Sequence, residues 1–162
     1  MIDIRHLTPN DVPLMKALLT TFGEAFNERD TYTANPPSED YLEQLLGGDT
    51  FIALAALKNR VVIGGIAAYE LKKFEQERSE IYIYDLAVAS EHRREGIATM
   101  LIEKLKEIAA KRGAYVIFVQ TDTDIEDESA VALYTKLGRR EDVLHFDIEV
   151  EGDGGAAPAK YQ

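Results

Sequence analysis

Glu80-Ile81-Tyr82-Ile83-Tyr84-Asp85-Leu86-Ala87-Val88 runs straight into Ala89-Ser90-Glu91-His92-Arg93-Arg94-Glu95-Gly96-Ile97-Ala98-Thr99, and the reading of this stretch decides the fold. β-Branched and aromatic residues fill the first part, which predicts a strand. From about Gly96 to Arg112, Ile97, Met100, Leu101, Leu105 and Ile108 recur at helical spacing, and Gly113 closes the helix. A short loop between a strand and a helix N-terminus presents unpaired backbone N–H groups and the positive end of the helix dipole. Such a junction holds an anion well. Arg93 and Arg94 add charge, Gly96 lets the backbone approach a ligand with no Cβ in the way, and Ala98 keeps the first helical turn thin. A pyrophosphate meets these requirements; the plainer alternative is a capped helix carrying two solvated arginines.

Upstream, Ile2 to Leu7 alternates as a strand does, and Thr8-Pro9-Asn10-Asp11 supplies turn and N-cap chemistry for a helix from about Val12 to Phe26. A polar stretch, Asn27 to Pro37, precedes a short helix that begins at Ser38 and stops at Gly47-Gly48. Phe51 to Leu57, a tight Lys58-Asn59-Arg60 turn and Val61 to Leu71 read as a β-hairpin, with Gly64-Gly65 as a bulge or point of close approach. Downstream lie a strand from Tyr115 to Gln120, an acidic loop from Thr121 to Glu128 and a helix from about Ser129 to Leu137. Leu144 to Val150 alternates again and predicts a last strand, which would suit pairing across a homodimer. The order is that of an α/β protein with a mixed sheet.

A chain of 162 residues, 46% apolar, fills one core, so residues 1–150 are expected to form one domain. Residues 151–162, rich in Gly and Ala, are expected to be a disordered tail. No apolar run reaches bilayer length and Met1 to His6 lacks the order of a signal peptide, which predicts a cytoplasmic protein with no membrane partner. The absence of cysteine removes disulfides, thiolate metal sites and Cys nucleophiles. His6, His92 and His145 show no metal-ligand spacing, so no metal is expected. A formal net charge of −11 disfavours nucleic acid and suits a cationic small molecule, although solubility alone accounts for an acidic surface as well.

The cradle Arg93-Arg94-Glu95-Gly96-Ile97-Ala98 and the segment Ala130-Val131-Ala132-Leu133-Tyr134-Thr135-Lys136-Leu137-Gly138 together resemble two motifs of the GNAT N-acetyltransferases: Q/R-x-x-G-x-G/A, which binds acetyl-CoA, and the C-terminal A-x-x-L-Y-x-x-x-G helix. The resemblance covers roughly Ile2 to Val150. It implies the GNAT fold, with a mixed twisted sheet of about six to seven strands flanked by about four helices. It also implies acetyl-CoA as donor, with its pyrophosphate on the amides of Arg94, Glu95, Gly96, Ile97, Ala98 and Thr99 beside Arg93. The backbone of Leu86, Ala87 and Val88 is implied to hydrogen-bond the pantetheine arm at a bulge where two strands splay. Ala130 and Tyr134 fall on the C-terminal motif, and the implied role of Tyr134 is to protonate the departing thiolate; a core aromatic is the alternative. Two positions depart from the pattern: Ala98 stands for Gly, and Asp127 for the Asn that usually precedes this helix and contacts the cofactor.

Amide formation from a thioester needs an unprotonated amine, and with no cysteine the natural route is direct attack in a ternary complex. Asp85, one residue before the implied pantetheine-binding stretch, is the first candidate to hold a substrate ammonium and take its proton; Glu80 is the second. The alternative for Asp85 is a carboxylate satisfied by backbone amides or a cation. Tyr82 and Tyr84, alternating with Ile81 and Ile83, either pack on the sheet or line the acceptor site. Asp122 and Asp124, in the acidic loop with Glu126, Asp127 and Glu128, are candidates for binding a polycation.

A narrower resemblance follows. Phe51 to Ala56, Lys73 to Val88 and Ala132 to Gly138 are similar to the aminoglycoside 3-N-acetyltransferases of the gentamicin-modifying type. This implies the 3-amino group of deoxystreptamine as acceptor and resistance as the outcome. Acetylation of another cationic amine, a polyamine or a protein N-terminus, and a CoA-binding module without turnover are the alternatives.

Overall fold

Thr8 and Asp11 set how the chain turns from its first strand into its first helix. β1 (Ile2–His6) ends one residue before Leu7, and the Asp11 carboxylate accepts from the Thr8 backbone N–H at 2.8 Å and pairs with Arg5 at 2.8 Å. Asp11 is almost fully buried, and these partners offset the cost of placing its charge there. The computed structural model describes residues 1–123 and 127–152; it divides into a unit of Met1–Gln120 and a unit of Thr121–Gln162.

In the first unit α1 (Val12–Ala25), α2 (Arg29–Thr33) and α3 (Glu39–Gly47) follow β1, and Ser38 caps α3 by accepting from the Tyr41 N–H. Then come β2 (Phe51–Lys58), β3 (Val61–Lys72), β4 (Ser79–Val88), α4 (Ile97–Arg112) and β5 (Ala114–Val119). The sheet order is β1-β2-β3-β4-β5, antiparallel except for the parallel β4–β5 pair. Phe51, Ala53, Ala55 and Leu57 of β2 join Leu18 and Phe22 of α1 and Leu42 and Leu46 of α3 in one core cluster. Ile52 and Leu54 alternate to the other face, where Leu101 and Leu105 of α4 are likewise fully buried. Covered on both sides, β2 is apolar almost throughout, with none of the polar alternation of a one-sided strand.

The hairpin is as expected: Asn59 and Arg60 both take positive φ, as a two-residue primed turn requires. The bulge on β3 lies one residue before the Gly pair, opposite the Ala56/Leu57 step, and the glycines serve close approach. A Cβ on Gly65 would stand 2.3 Å from the Leu54 carbonyl oxygen and 2.5 Å from Leu18 Cδ1.

Glu70, nearly buried on β3, is held by Arg112 from the end of α4 at 2.9 Å, and Arg112 also donates to the Asp49 carbonyl. Removing the guanidinium strands a buried carboxylate. Arg112→Met is expected to lower stability by about 2–4 kcal/mol in urea unfolding, with Glu70→Gln on top restoring part of the loss.

The second unit contains α5 (Glu128–Leu137), stopped at Gly138, whose N–H reaches the Tyr134 carbonyl at 2.8 Å. Three expectations are corrected here. Leu144–Val150 forms no strand: Leu144, Phe146, Ile148 and Val150 are strongly exposed. Alternation prepares a segment for pairing, but a strand exists only where a second backbone takes its N–H and C=O groups. The sheet therefore has five strands among the described residues. The polar stretch from Asn27 to Pro37 contains a helix, α2, so there are five α-helices among the described residues. Residues 153–162, expected as a tail, lie outside the described residues.

Candidate active site

β4 and β5 pair only from Ser79 to Ile83. Beyond Ile83, β4 continues on β3 alone through Leu86, Ala87 and Val88, paired with Ile66, Gly65 and Gly64. The register slips between Ala67 and Ala68 of β3, which face Asp85 and Ile83, so Tyr84 is the extra residue of a bulge. The bulge expected near the end of the central strand is thus present at Tyr84, and β5 ends at Val119, opposite Ile83. They leave the Leu86–Val88 edge outside the β5 ladder.

After β4, a single 3-10 turn (Ser90–His92) leads to Arg94, with φ 65°, and to Gly96, the N-cap of α4, with φ 78°. Gly is favoured at 96 by this left-handed backbone, and a Cβ there would meet no protein atom within 4 Å. Gly96 has no side chain with which to cap α4, and among the described residues no side-chain hydrogen bond is made to the first-turn amides of Ile97, Ala98 and Thr99. Arg93 and Arg94 are exposed beside them. Glu95, one of two acids between β4 and α4 with Glu91, is taken up by His92 at 3.2 Å and Lys58 at 3.8 Å, which lessens its repulsion of an anion. These residues fit a pyrophosphate.

Asp85 lies half-buried beside the bulge and accepts a 2.8 Å hydrogen bond from the Tyr32 hydroxyl. Tyr32 comes from α2 and is held against Phe22 and Phe26, with ring centroids 6.0 and 5.9 Å away. A carboxylate in an aromatic strand is thereby kept oriented at modest cost. The sequence carries no signal for this contact, since the partners stand 53 residues apart.

Glu80 is placed elsewhere. It lies near the start of β4, accepting from the Tyr115 hydroxyl and sitting 3.6 Å from Lys73, while Arg78 stacks 3.7 Å above the Tyr115 ring. The hydrogen bond to Glu80 raises the Tyr115 pKa. Five residues of strand separate Glu80 from Asp85 by about 17 Å, so only one of the two can touch a given nitrogen. Tyr82 stacks on Phe118 at 4.7 Å and donates to Gln120.

In the second unit Asp127 is the N-cap of α5 without a side-chain cap bond, and Ala130 is half-buried on the helix. Burial, with a smaller effect of Asp127, pushes the Tyr134 phenol up to about 12. Asp122 is exposed; Asp124 lies outside the described residues. Among the described residues no group of three or more His, Asp or Glu is placed to hold a metal ion. No helix among them is long and apolar enough to cross a membrane.

The model of the acetyltransferase (GNAT) family matches residues 14–138, which include β4, the cradle and α5. The chain belongs to the GNAT acetyltransferase family. As a member it is an N-acetyltransferase, of a family whose donor is acetyl-CoA. The enzyme is similar to an aminoglycoside acetyltransferase from an uncultured soil metagenomic sample, at 68% identity and TM-score 0.92, covering 93% of this chain and 99% of that one. A second soil-metagenome aminoglycoside acetyltransferase, solved in complex with sisomicin, is 28% identical with TM-score 0.84, covering 93% and 97%. Among curated proteins, the probable N-acetyltransferase san of Drosophila melanogaster is 27% identical over 85% of this acetyltransferase and 67% of its own length. The chain spans only 37% of the rat N-acetyltransferase 8B, to which it is 29% identical.

Proposed function

We propose that the enzyme transfers the acetyl group of acetyl-CoA to an aminoglycoside, at the 3-amino group of the deoxystreptamine ring of antibiotics such as gentamicin. The observation that carries this reading is the 68% identity to a soil aminoglycoside acetyltransferase across nearly the whole of both chains. The regiochemistry rests on the resemblance around Asp85. A single functional domain over residues 1–150 belongs to the same reading, and the family match from 14 to 138 supports its greater part.

Acetyl-CoA supplies the thioester and the leaving thiolate. The amides from Arg94 to Thr99, with Arg93 and Arg94, take its pyrophosphate, and the backbone of Leu86 to Val88 takes its pantetheine arm. Asp85 binds the acceptor ammonium, receives its proton and leaves the amine free to attack. Acidic Asp122 and Asp124 draw the polycation in. Tyr134 donates to the departing sulfur. With its phenol at about 12 it keeps its proton at neutral pH. Full transfer to a thiolate is uphill, because an ordinary thiol titrates at about 8.5, so Tyr134 acts chiefly through a hydrogen bond that strengthens as charge builds on sulfur. It follows that kcat stays level between about pH 8 and about pH 10, with no falling limb from Tyr134. A limb in that range that disappears in Tyr134→Phe would oppose this assignment.

The test is thiol release by purified enzyme saturated with acetyl-CoA, comparing gentamicin, spermidine and a peptide. Gentamicin is expected to be the preferred acceptor by a wide margin. Similarity to the N-alpha-acetyltransferase 30 of Schizosaccharomyces pombe, 39% identical over 57 residues, favours an α-amine such as that of a peptide as the second reading, and turnover with the peptide alone would select it. The exposed apolar residues of 144–150 support pairing with a second copy, through which that segment would gain a ladder.

A further inference from the structure

One register line crosses the sheet with an aromatic residue on every strand from β2 to β5. Phe51 pairs with Tyr69, Tyr69 with Tyr82, and Tyr82 with Phe118. Cross-strand partners share a face, so the four rings stand on one side, and Tyr84 beside the bulge joins them. Their contacts are continuous: Phe51–Tyr69 at 5.3 Å, Tyr69–Tyr84 at 5.8 Å edge-on, Tyr84–Tyr82 at 5.8 Å and Tyr82–Phe118 stacked at 4.7 Å. The row begins in the core, where Phe51 is 4% exposed, and opens at its middle, where Tyr69 is 37% and Tyr84 49% exposed, while Tyr82 and Phe118 are half-buried. A packing role needs no hydroxyls and no open rings, yet three of the five are tyrosines. Tyr84 is adjacent in sequence to Asp85. Tyr69 lies within the field of the same carboxylate: burial first, then Tyr41 and Asp85, raise its pKa.

Rings of this kind offer electron-rich faces to C–H groups and to cations. A flat anionic ligand is disfavoured beside Asp85 in a chain of net charge −11. A saturated ring bearing ammonium groups suits both features, with its C–H face on the aromatics and its charge shared between π faces and carboxylate.

We propose that Tyr69, Tyr84 and Tyr82 form an acceptor subsite that seats a second, ammonium-bearing saturated ring, next to the ring whose amine reaches Asp85. The proposal rests on the reading of the acceptor as an aminoglycoside and extends it to how a multi-ring acceptor is told from a single ring.

The experiment compares gentamicin with free 2-deoxystreptamine, which lacks the flanking rings. Tyr84→Leu and Tyr69→Leu are each expected to raise KM for gentamicin about 10-fold, within the range of a single lost cation–π contact. Values of kcat and of KM for acetyl-CoA should stay within about two-fold, and KM for 2-deoxystreptamine should hardly move. Tyr84→Phe keeps the ring and should stay near wild type. Equal losses with both acceptors, an unchanged gentamicin KM in the Leu variants, or a Phe variant as impaired as the Leu variant would each overturn the subsite. The chain has eight tyrosines and no tryptophan, so tyrosine absorbance and fluorescence report binding without turnover. Were gentamicin not acetylated at all, the functional reading would fall, and this titration would still decide the subsite. Gentamicin must perturb the tyrosine signal at lower concentration than spermine, and do so less well in Tyr84→Leu; equal titrations, or none, refute it.

Discussion

Asp85→Asn is expected to lower kcat about a hundred- to ten-thousand-fold while leaving the affinity for acetyl-CoA within two-fold of wild type. Asn is isosteric and its side-chain oxygen still accepts from Tyr32, so the 2.8 Å tie between α2 and β4 survives and the fold is undisturbed. What is lost is the negative charge that binds the acceptor ammonium and the basicity that takes its proton. KM for gentamicin reports the first loss and kcat the second, while acetyl-CoA binding followed by tyrosine fluorescence reports the donor site. Turnover within a factor of three of wild type would remove Asp85 from the chemistry and return attention to Glu80, whose carboxylate is held by Tyr115 and Lys73.

Gly65→Ala carries the largest expected effect on stability. The added methyl would have to occupy a point 2.3 Å from the Leu54 carbonyl oxygen and 2.5 Å from Leu18, at the centre of the sheet and under α1. The carbonyl is fixed in β2 by its ladder, so relief requires β2 and β3 to separate or α1 to lift. A loss of about 3 kcal/mol or more is expected in urea unfolding, with the slope unchanged, the upper end of what overpacking costs. Gly48→Ala is the control: its Cβ meets the Gln44 carbonyl at an ordinary 3.5 Å, so it should change stability by no more than about 0.5 kcal/mol. Equal midpoints for the two variants would contradict the close packing of α1 on β3.

The parts of this fold that were legible in the sequence are those where local chemistry and tertiary demand agree. The strand Glu80–Val88, the hairpin turned at Asn59-Arg60 and the helix opened by Gly96 and closed by Gly113 are of this kind. Gly96 and Gly113 both adopt φ near 79°, which is what their positions at the helix ends announce. α2 was not legible because Arg29–Thr33 has no apolar period; Tyr32 ties it to Phe22, Phe26 and Asp85. The segment 144–150 misled for the opposite reason, since its alternation is clear and no ladder answers it. At the site, the cradle from Arg93 to Thr99 is a local feature, and its reading came from its pairing with the segment Ala130 to Gly138. The aromatic row could not be read, because it depends on strand register: Phe51, Tyr69, Tyr82 and Phe118 are scattered along the chain and meet only through pairing.

The account's central claim is acetyl transfer to one amine of an aminoglycoside, and the measurement that addresses it most directly is NMR assignment of the product made from gentamicin and acetyl-CoA, with its mass. The prediction is a single added acetyl group on the 3-amino nitrogen of deoxystreptamine. An acetyl on a different nitrogen would contradict the regiochemistry, and unmodified gentamicin under conditions where a peptide amine is acetylated would contradict the acceptor itself.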